Sequence, residues 1–124
     1  MDEKALFIEA FRKRTKQVAI GCIRLVQVMP RTEEAKVLTR QLVRSASSCA
    51  ANYRSACRAR SQAEFYAKMS IAIEEADETL FWLELTEEAA ICNDTELKTI
   101  QQEITVIIKV LSKARKITSN NQNK

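Results

Sequence analysis

The residues of this chain best placed to do chemistry are arginines. Arg44, Arg54, Arg58 and Arg60 recur through a stretch, "RSASSCAANYRSACRAR" at residues 44–60, in which almost everything else is Ala, Ser or Cys, and Arg40 stands four residues upstream. On a helix turning about 100° per residue, Arg40, Arg44, Arg54 and Arg58 fall with Ser47 and Ala51 within about 80° of one another. That is a stripe of guanidinium forks, which suit phosphate or carboxylate oxygens. Lys13 and Lys16, upstream, are candidate helpers. No aromatic residue interleaves with the stripe, so contact with phosphates is indicated and base stacking is not.

Other chemistries lack their residues. There is no histidine, which removes Ser-His and Cys-His nucleophiles and the commonest general base. Cys22, Cys49, Cys57 and Cys92 form no CxxC pair and read as small core fillers. The single glycine, Gly21, cannot make a glycine-rich phosphate loop. Glu74, Glu75, Asp77, Glu78, Glu84, Glu87 and Glu88 concentrate acid in one segment, but a carboxylate-bridged metal pair also needs inward acids and Glu-x-x-His on facing helices. The sequence therefore predicts a non-catalytic protein with no cofactor, no metal and no catalytic residue.

The elements that must position the arginines are helical. Among 124 residues there is one Gly and one Pro, the composition of long helices with few turns. Spacings of three and four recur in four seams. The first runs Ile8, Phe11, Thr15, Val18, Cys22, Leu25, Met29 and stops at Pro30. The second, Leu38, Leu42, Ser45, Cys49, Asn52, Ala56, Ala59, follows the N-cap Thr32. The third, Phe65, Met69, Ala72, Ala76, Thr79, Leu83, Thr86, Ala90, follows the N-cap Ser61, with Glu64 completing a capping box. The fourth is Leu97, Ile100, Ile104, Ile107, Leu111, Ala114. Four such seams with short breaks predict an all-α, antiparallel, up-down-up-down, left-handed four-helix bundle, a single domain over residues 1–118 with a disordered tail over 119–124. No membrane span or signal peptide is read, and a cytoplasmic location is expected.

Three details follow. Asn52 is expected on the core seam, needing a hydrogen bond, with Tyr53 beside it keeping its hydroxyl in water. Ile71, Ile73, Phe81, Trp82 and Leu85 on the third helix, and Val106, Ile108 and Val110 on the fourth, exceed what one seam needs, so either the core is wide or another subunit covers them. Formal charge by segment is +4 for residues 1–31, +4 for 32–61, −8 for 62–94 and +4 for 95–124. A basic face with an acidic counterpart is implied.

Residues 45–85, "SASSCAANYRSACRARSQAEFYAKMSIAIEEADETLFWLEL", resemble the four-helix bundle proteins that include those encoded in intervening sequences of bacterial 23S ribosomal RNA genes. The likeness lies in the order Asn-Tyr-Arg, Arg-Ala-Arg-Ser, Ala-Glu-Phe, Glu-Glu-Ala-Asp-Glu and Phe-Trp-Leu-Glu-Leu. The resemblance implies an antiparallel bundle assembling with itself as a ring, a homopentamer. A related group, the accessory variability proteins of diversity-generating retroelements, binds nucleic acid and a protein partner, a reverse transcriptase, through basic surfaces. No catalytic residues come with the resemblance. Many relatives carry Gly-Ser where this chain has Glu74-Glu75, marking a more acidic branch. Two readings result: a homo-oligomeric accessory protein binding RNA or DNA through Arg40, Arg44, Arg54, Arg58, Arg60, Lys13 and Lys16, or a structural module in which those bases dock on acids during assembly. Arginines facing Glu75, Asp77 or Glu78 would be structural; arginines on an open surface would be available to phosphates.

Overall fold

Short polar side chains start the helices. In the computed structural model, which describes the backbone of residues 2–122 and the side chains of residues 2–118, Asp2 accepts from the Ala5 amide at 2.7 Å, Thr32 from Ala35 at 3.2 Å and Ser61 from Glu64 at 3.0 Å. Each supplies an acceptor for a first-turn amide that the helix leaves without one. The helices they open are α1 (Glu3–Val26), α2 (Glu33–Cys57) and α3 (Gln62–Glu88); α4 (Thr95–Gln122) begins beside Asp94, whose Oδ1 accepts from the Glu96 amide at 2.8 Å. Helix α1 ends one turn before Pro30 rather than at it. Past Lys116, α4 continues to Gln122, with Thr118 Oγ1 donating to the Ala114 carbonyl at 3.1 Å. The disordered tail expected over 119–124 falls on side chains, and at 123–124 on backbone, outside the described residues.

Every helix packs on its neighbours in sequence, and α1 closes the square against α4; among the described residues the backbones of the diagonal pairs α1/α3 and α2/α4 stay more than 8 Å apart. Contacts across the pairs run in opposite senses. Ile8 meets Tyr53 while Met29 meets Thr39, and Ser70 meets Arg115 while Glu87 meets Lys98. The protein is an all-α, up-down-up-down four-helix bundle.

The seams bury as their spacing predicts, from Phe11 to Met29, Leu38 to Ala56, Met69 to Thr86 and Leu97 to Leu111, with exceptions on α2 and α3. On α2 the core track is rotated by one residue at its C-terminal end: Tyr53 is buried and Asn52 only half-buried. The reason is geometric: at about 100° per residue Tyr53 lies about 20° around the helix from Leu42, whereas Asn52 lies about 80° away. Burial holds the Tyr53 phenol above its ordinary pKa, and its hydroxyl lies 3.4 Å from the Ile8 carbonyl it donates to. Asn52 Nδ2 donates to the Ser48 carbonyl at 2.9 Å within the same helix. Cys22 and Cys49 are buried, and burial pushes both thiols up to about 12, which suits inert fillers. Gly21 sits where α1 meets α4; a Cβ there would stand 3.3 Å from Ile100 Cδ1.

The most extensive interface is α2 on α3, and small residues are buried on both helices, Ser45, Cys49 and Ala56 on α2 and Ala72, Ala76 and Thr79 on α3. Thr79 Oγ1 lies 2.9 Å from Ser45 Oγ, and Ser45 Oγ is 3.2 Å from the Leu42 carbonyl, so one chain of donors satisfies both hydroxyls. The surplus apolar residues divide. Ile73 is buried, and Trp82, Ile108 and Val110 pack against the core, whereas Ile71, Phe81, Leu85 and Val106 stay exposed.

Ala90, expected at the end of the third seam, instead lies beyond α3 with φ 56°. It occupies the left-handed position of a Schellman turn, in which the Ile91 amide donates to the Thr86 carbonyl and the Ala90 amide to Glu87, each at 3.0 Å. A β-carbon there costs about 1–2 kcal/mol, more than the roughly 0.5–1 kcal/mol that glycine loses in chain entropy. Ala90→Gly is therefore expected to raise stability, by up to about 1 kcal/mol in urea unfolding. Ala76→Leu is expected to lower it by about 1–3 kcal/mol in the same measurement, since α2 leaves no room for the larger side chain.

Candidate nucleic-acid interface

The arginine stripe of α2 separates into three environments once its neighbours are in place. Arg44 reaches α3. Its Nη1 donates to Glu75 Oε2 at 2.8 Å, its Nη2 to Glu78 Oε1, and its Nε to Gln41 Oε1 at 3.0 Å. Glu78 accepts in addition from Trp82 Nε1 at 3.1 Å. The Arg44 guanidinium, and then the Trp82 indole, hold the Glu78 carboxyl below the usual glutamate range, and the two carboxylates raise the arginine in turn. Arg44 is thus a clip between two helices of one chain, and all three of its nitrogens are engaged.

Arg54 and Arg58 turn the other way, toward α1. With Arg12, Lys13, Lys16 and Glu9 they line a cleft of about 510 Å³ whose α2 wall includes Ala50 and Ala51. Five bases and one acid share the space. Glu9 pairs with Arg12 at 2.7 Å; Lys13, Lys16, Arg54 and Arg58 have no carboxylate partner among the described residues. The alanines matter because a wall of methyl groups lets an anion come close to α2 between the two cationic edges. Four of the seven residues predicted from the sequence meet here. Arg12 was missed, although its position four residues before Lys16 places it on the same edge of α1.

Arg40 stands at the other end of the same α1–α2 face. It borders a second cleft, of about 740 Å³, together with Arg31 and Lys36, and that cleft is walled by Val26, Met29, Pro30 and Thr39. Lys36 is partly occupied by Glu33 at 3.3 Å; Arg31 and Arg40 are exposed and have no carboxylate partner among the described residues. Arg60 belongs to neither cleft. It lies in the α2–α3 turn, 3.8 Å from Glu64, on the rim of an apolar cavity at that end of the bundle.

The acidic counterpart is α3, the helix diagonal to α1. Glu74, Asp77, Glu84 and Glu88 are exposed there, interspersed with exposed Ile71, Phe81 and Leu85. Among the described residues no group of three or more His, Cys, Asp or Glu side chains could hold a metal ion. Among the described residues, no helix is long and apolar enough to cross a membrane.

Comparison with known proteins is consistent with this architecture. A family model described as 23S rRNA-intervening sequence protein matches residues 10–113. Among solved structures, the chain is similar to a Bacteroides thetaiotaomicron protein described as of unknown function and from the S23 ribosomal protein family. The two are 31% identical, with a TM-score of 0.78, over 88% of this chain and 97% of that one. No curated protein matches.

The α2–α3 clip has a pH signature. A carboxyl whose folded-state pKa lies below its unfolded value adds stability above the unfolded value, and that stability is lost as pH falls through the folded one. Glu78 is such a group, as is Glu87, which Lys98 contacts at 2.9 Å. Melting temperature is expected to drop as pH falls below about 4.3. In Arg44→Gln that drop is expected to be shallower, because Glu78 no longer gains its partner on folding. Superimposable pH profiles for the two proteins would mean that the clip adds no stability.

Proposed function

The chain belongs to the 23S rRNA-intervening sequence protein family, and from that premise we propose that it is a non-catalytic, homo-oligomeric accessory protein that binds RNA or DNA by its phosphates along the α1–α2 face. The observation that carries the reading is the cleft in which Arg54, Arg58, Lys13 and Lys16 stand together without carboxylate partners among the described residues. Cations so grouped repel one another, and a polyanion relieves that repulsion while releasing its own condensed counterions. Guanidinium forks on one wall and ammonium groups on the other suit phosphate oxygens presented from two sides. No Asn or Gln lines this cleft to read adenine and no aromatic ring to stack on a base, so contacts to the phosphates are expected to dominate and sequence preference to be low. Arg44 helps only indirectly, by holding α2 in place.

Assembly enters through α3. Ile71, Phe81 and Leu85 are exposed apolar residues on α3, the helix diagonal to α1. A contact made by two different surfaces of one chain closes into a ring when its rotation permits. Several clefts on one ring would multiply a modest single-site affinity.

One observation favours a second reading, in which the basic and acidic faces serve only self-assembly. Exposed Glu74, Asp77, Glu84 and Glu88 lie on the helix diagonal to α1, so within one chain they cannot neutralise the α1–α2 cleft, whereas between two copies they could. Arg54→Glu with Arg58→Glu separates the two readings. Binding to short fluorescent RNA and DNA is expected to follow a log-affinity against log-salt slope near −4 to −5, for about five phosphate contacts. In the double variant that slope is expected to shrink by about 2 or more, while the particle mass from light scattering stays unchanged. Loss of the oligomer with no nucleic-acid binding in either protein would establish the assembly reading instead.

A further inference from the structure

Resting on the phosphate-binding reading above, we propose that the nucleic acid taken by the α1–α2 face is a double helix, held at both banks of one of its grooves. The face carries its charge at two ends. Arg12, Lys13, Lys16, Arg54 and Arg58 gather at one, and Arg31, Lys36 and Arg40 at the other. Arg40 and Arg54 are fourteen positions apart on the uninterrupted α2, about 21 Å at 1.5 Å per residue. A B-form major groove is about 12 Å wide; with a phosphate backbone along each edge and flexible side chains reaching inward, it fits between the two clusters. The wide, shallow minor groove of an A-form duplex presents two phosphate edges in the same manner.

Charge thins between the clusters: Arg44, on the α2 stripe, is taken up by Glu75 and Glu78, and Arg24 on α1 is exposed. Ile20, Ile23, Val43 and Ser47 occupy the middle of the face, Ile23 and Ser47 exposed and the other two half-buried. A single strand following the protein from one cleft to the other would find few cations along this stretch, Arg24 and the already paired Arg44, whereas a duplex bridges it with its own open groove. Unstacked bases would also find no platform. Of the seven aromatic residues, Phe11 and Tyr53 are in the core, Phe7 and Phe65 line the cavity at the bundle end, Tyr66 lies under Arg115, and Phe81 and Trp82 pack on each other on α3. Single-strand binders combine a continuous basic track with stacking rings; this face has no stacking ring, and its cations are concentrated at the two ends. Both clusters sit largely on helices, so their separation is fixed, as is that of the two strands of a duplex.

The test is fluorescence anisotropy of the intact protein with 20-base-pair duplexes of DNA and of RNA and with the corresponding single strands, at about 100 mM salt. A duplex is expected to bind about tenfold or more tightly than its own strands, the DNA and RNA arms showing which helical form is preferred. Arg31→Ala with Arg40→Ala, both exposed and checked for unchanged helicity, is expected to weaken duplex binding about tenfold and single-strand binding less than twofold. Single strands binding as well as the duplex, or an equal loss for both in the double variant, would overturn the two-bank assignment and leave phosphate binding standing. Absence of binding to every probe would remove the phosphate reading itself, and this inference with it.

Discussion

The close approach of α2 to α3 determines much of what the rest of the molecule can do. Its contact residues are Ser, Ala, Cys and Thr, so the two backbones come together without large side chains between them, and Thr79 can reach Ser45 across the interface. Packing of this kind tolerates little change in volume. It brings Arg44 within reach of Glu75 and Glu78, and it leaves the larger apolar residues of α3 to face either the core, as Ile73 and Leu83 do, or solvent, as Ile71, Phe81 and Leu85 do. The other flank of α2 is also small, but there α1 offers Arg12, Lys13 and Lys16, and a cleft opens instead of a seam.

The same arrangement divides the labour of the arginines. A guanidinium beside two carboxylates in the same chain contributes modestly to stability, because such partly exposed pairs are screened by water and salt. One beside other cations contributes nothing to folding and is available to a ligand. Arg44 and Arg54 are ten residues apart on one stripe of one helix, yet the first is a structural clip and the second a candidate phosphate ligand. The difference comes from which helix flanks each of them.

That difference also marks the limit of what was legible in the chain. Caps at Thr32 and Ser61, the four seams and their order followed from spacing alone, because a buried stripe of period 3.6 leaves few alternatives. The gathering of Arg54, Arg58, Lys13 and Lys16 was readable only as a list, since a helical wheel gives the face a residue occupies and not the partner across from it. Arg12 was overlooked because Glu9 and Arg14 flank it and make its segment look like a mixed surface. Tyr53 in place of Asn52 reflects a heptad applied where the helix keeps its own slightly longer period. Ala90 could not be placed, because alanine is a good helix former and only the Schellman hydrogen bonds around it reveal the end of α3.

The diagonal placement of α1 and α3 has one more consequence. With cations on the α1–α2 face that have no carboxylate partner among the described residues and exposed Glu74, Asp77, Glu84 and Glu88 on α3, the centres of positive and negative charge do not coincide, and the chain carries a permanent electric moment across its short axis. Near a polyanion the resulting torque turns the protein before any contact forms, so that encounters begin with the cleft leading and the acidic helix trailing. A net charge of only +4 can then coexist with fast, orientation-selective capture, and added salt would slow arrival as well as shorten residence.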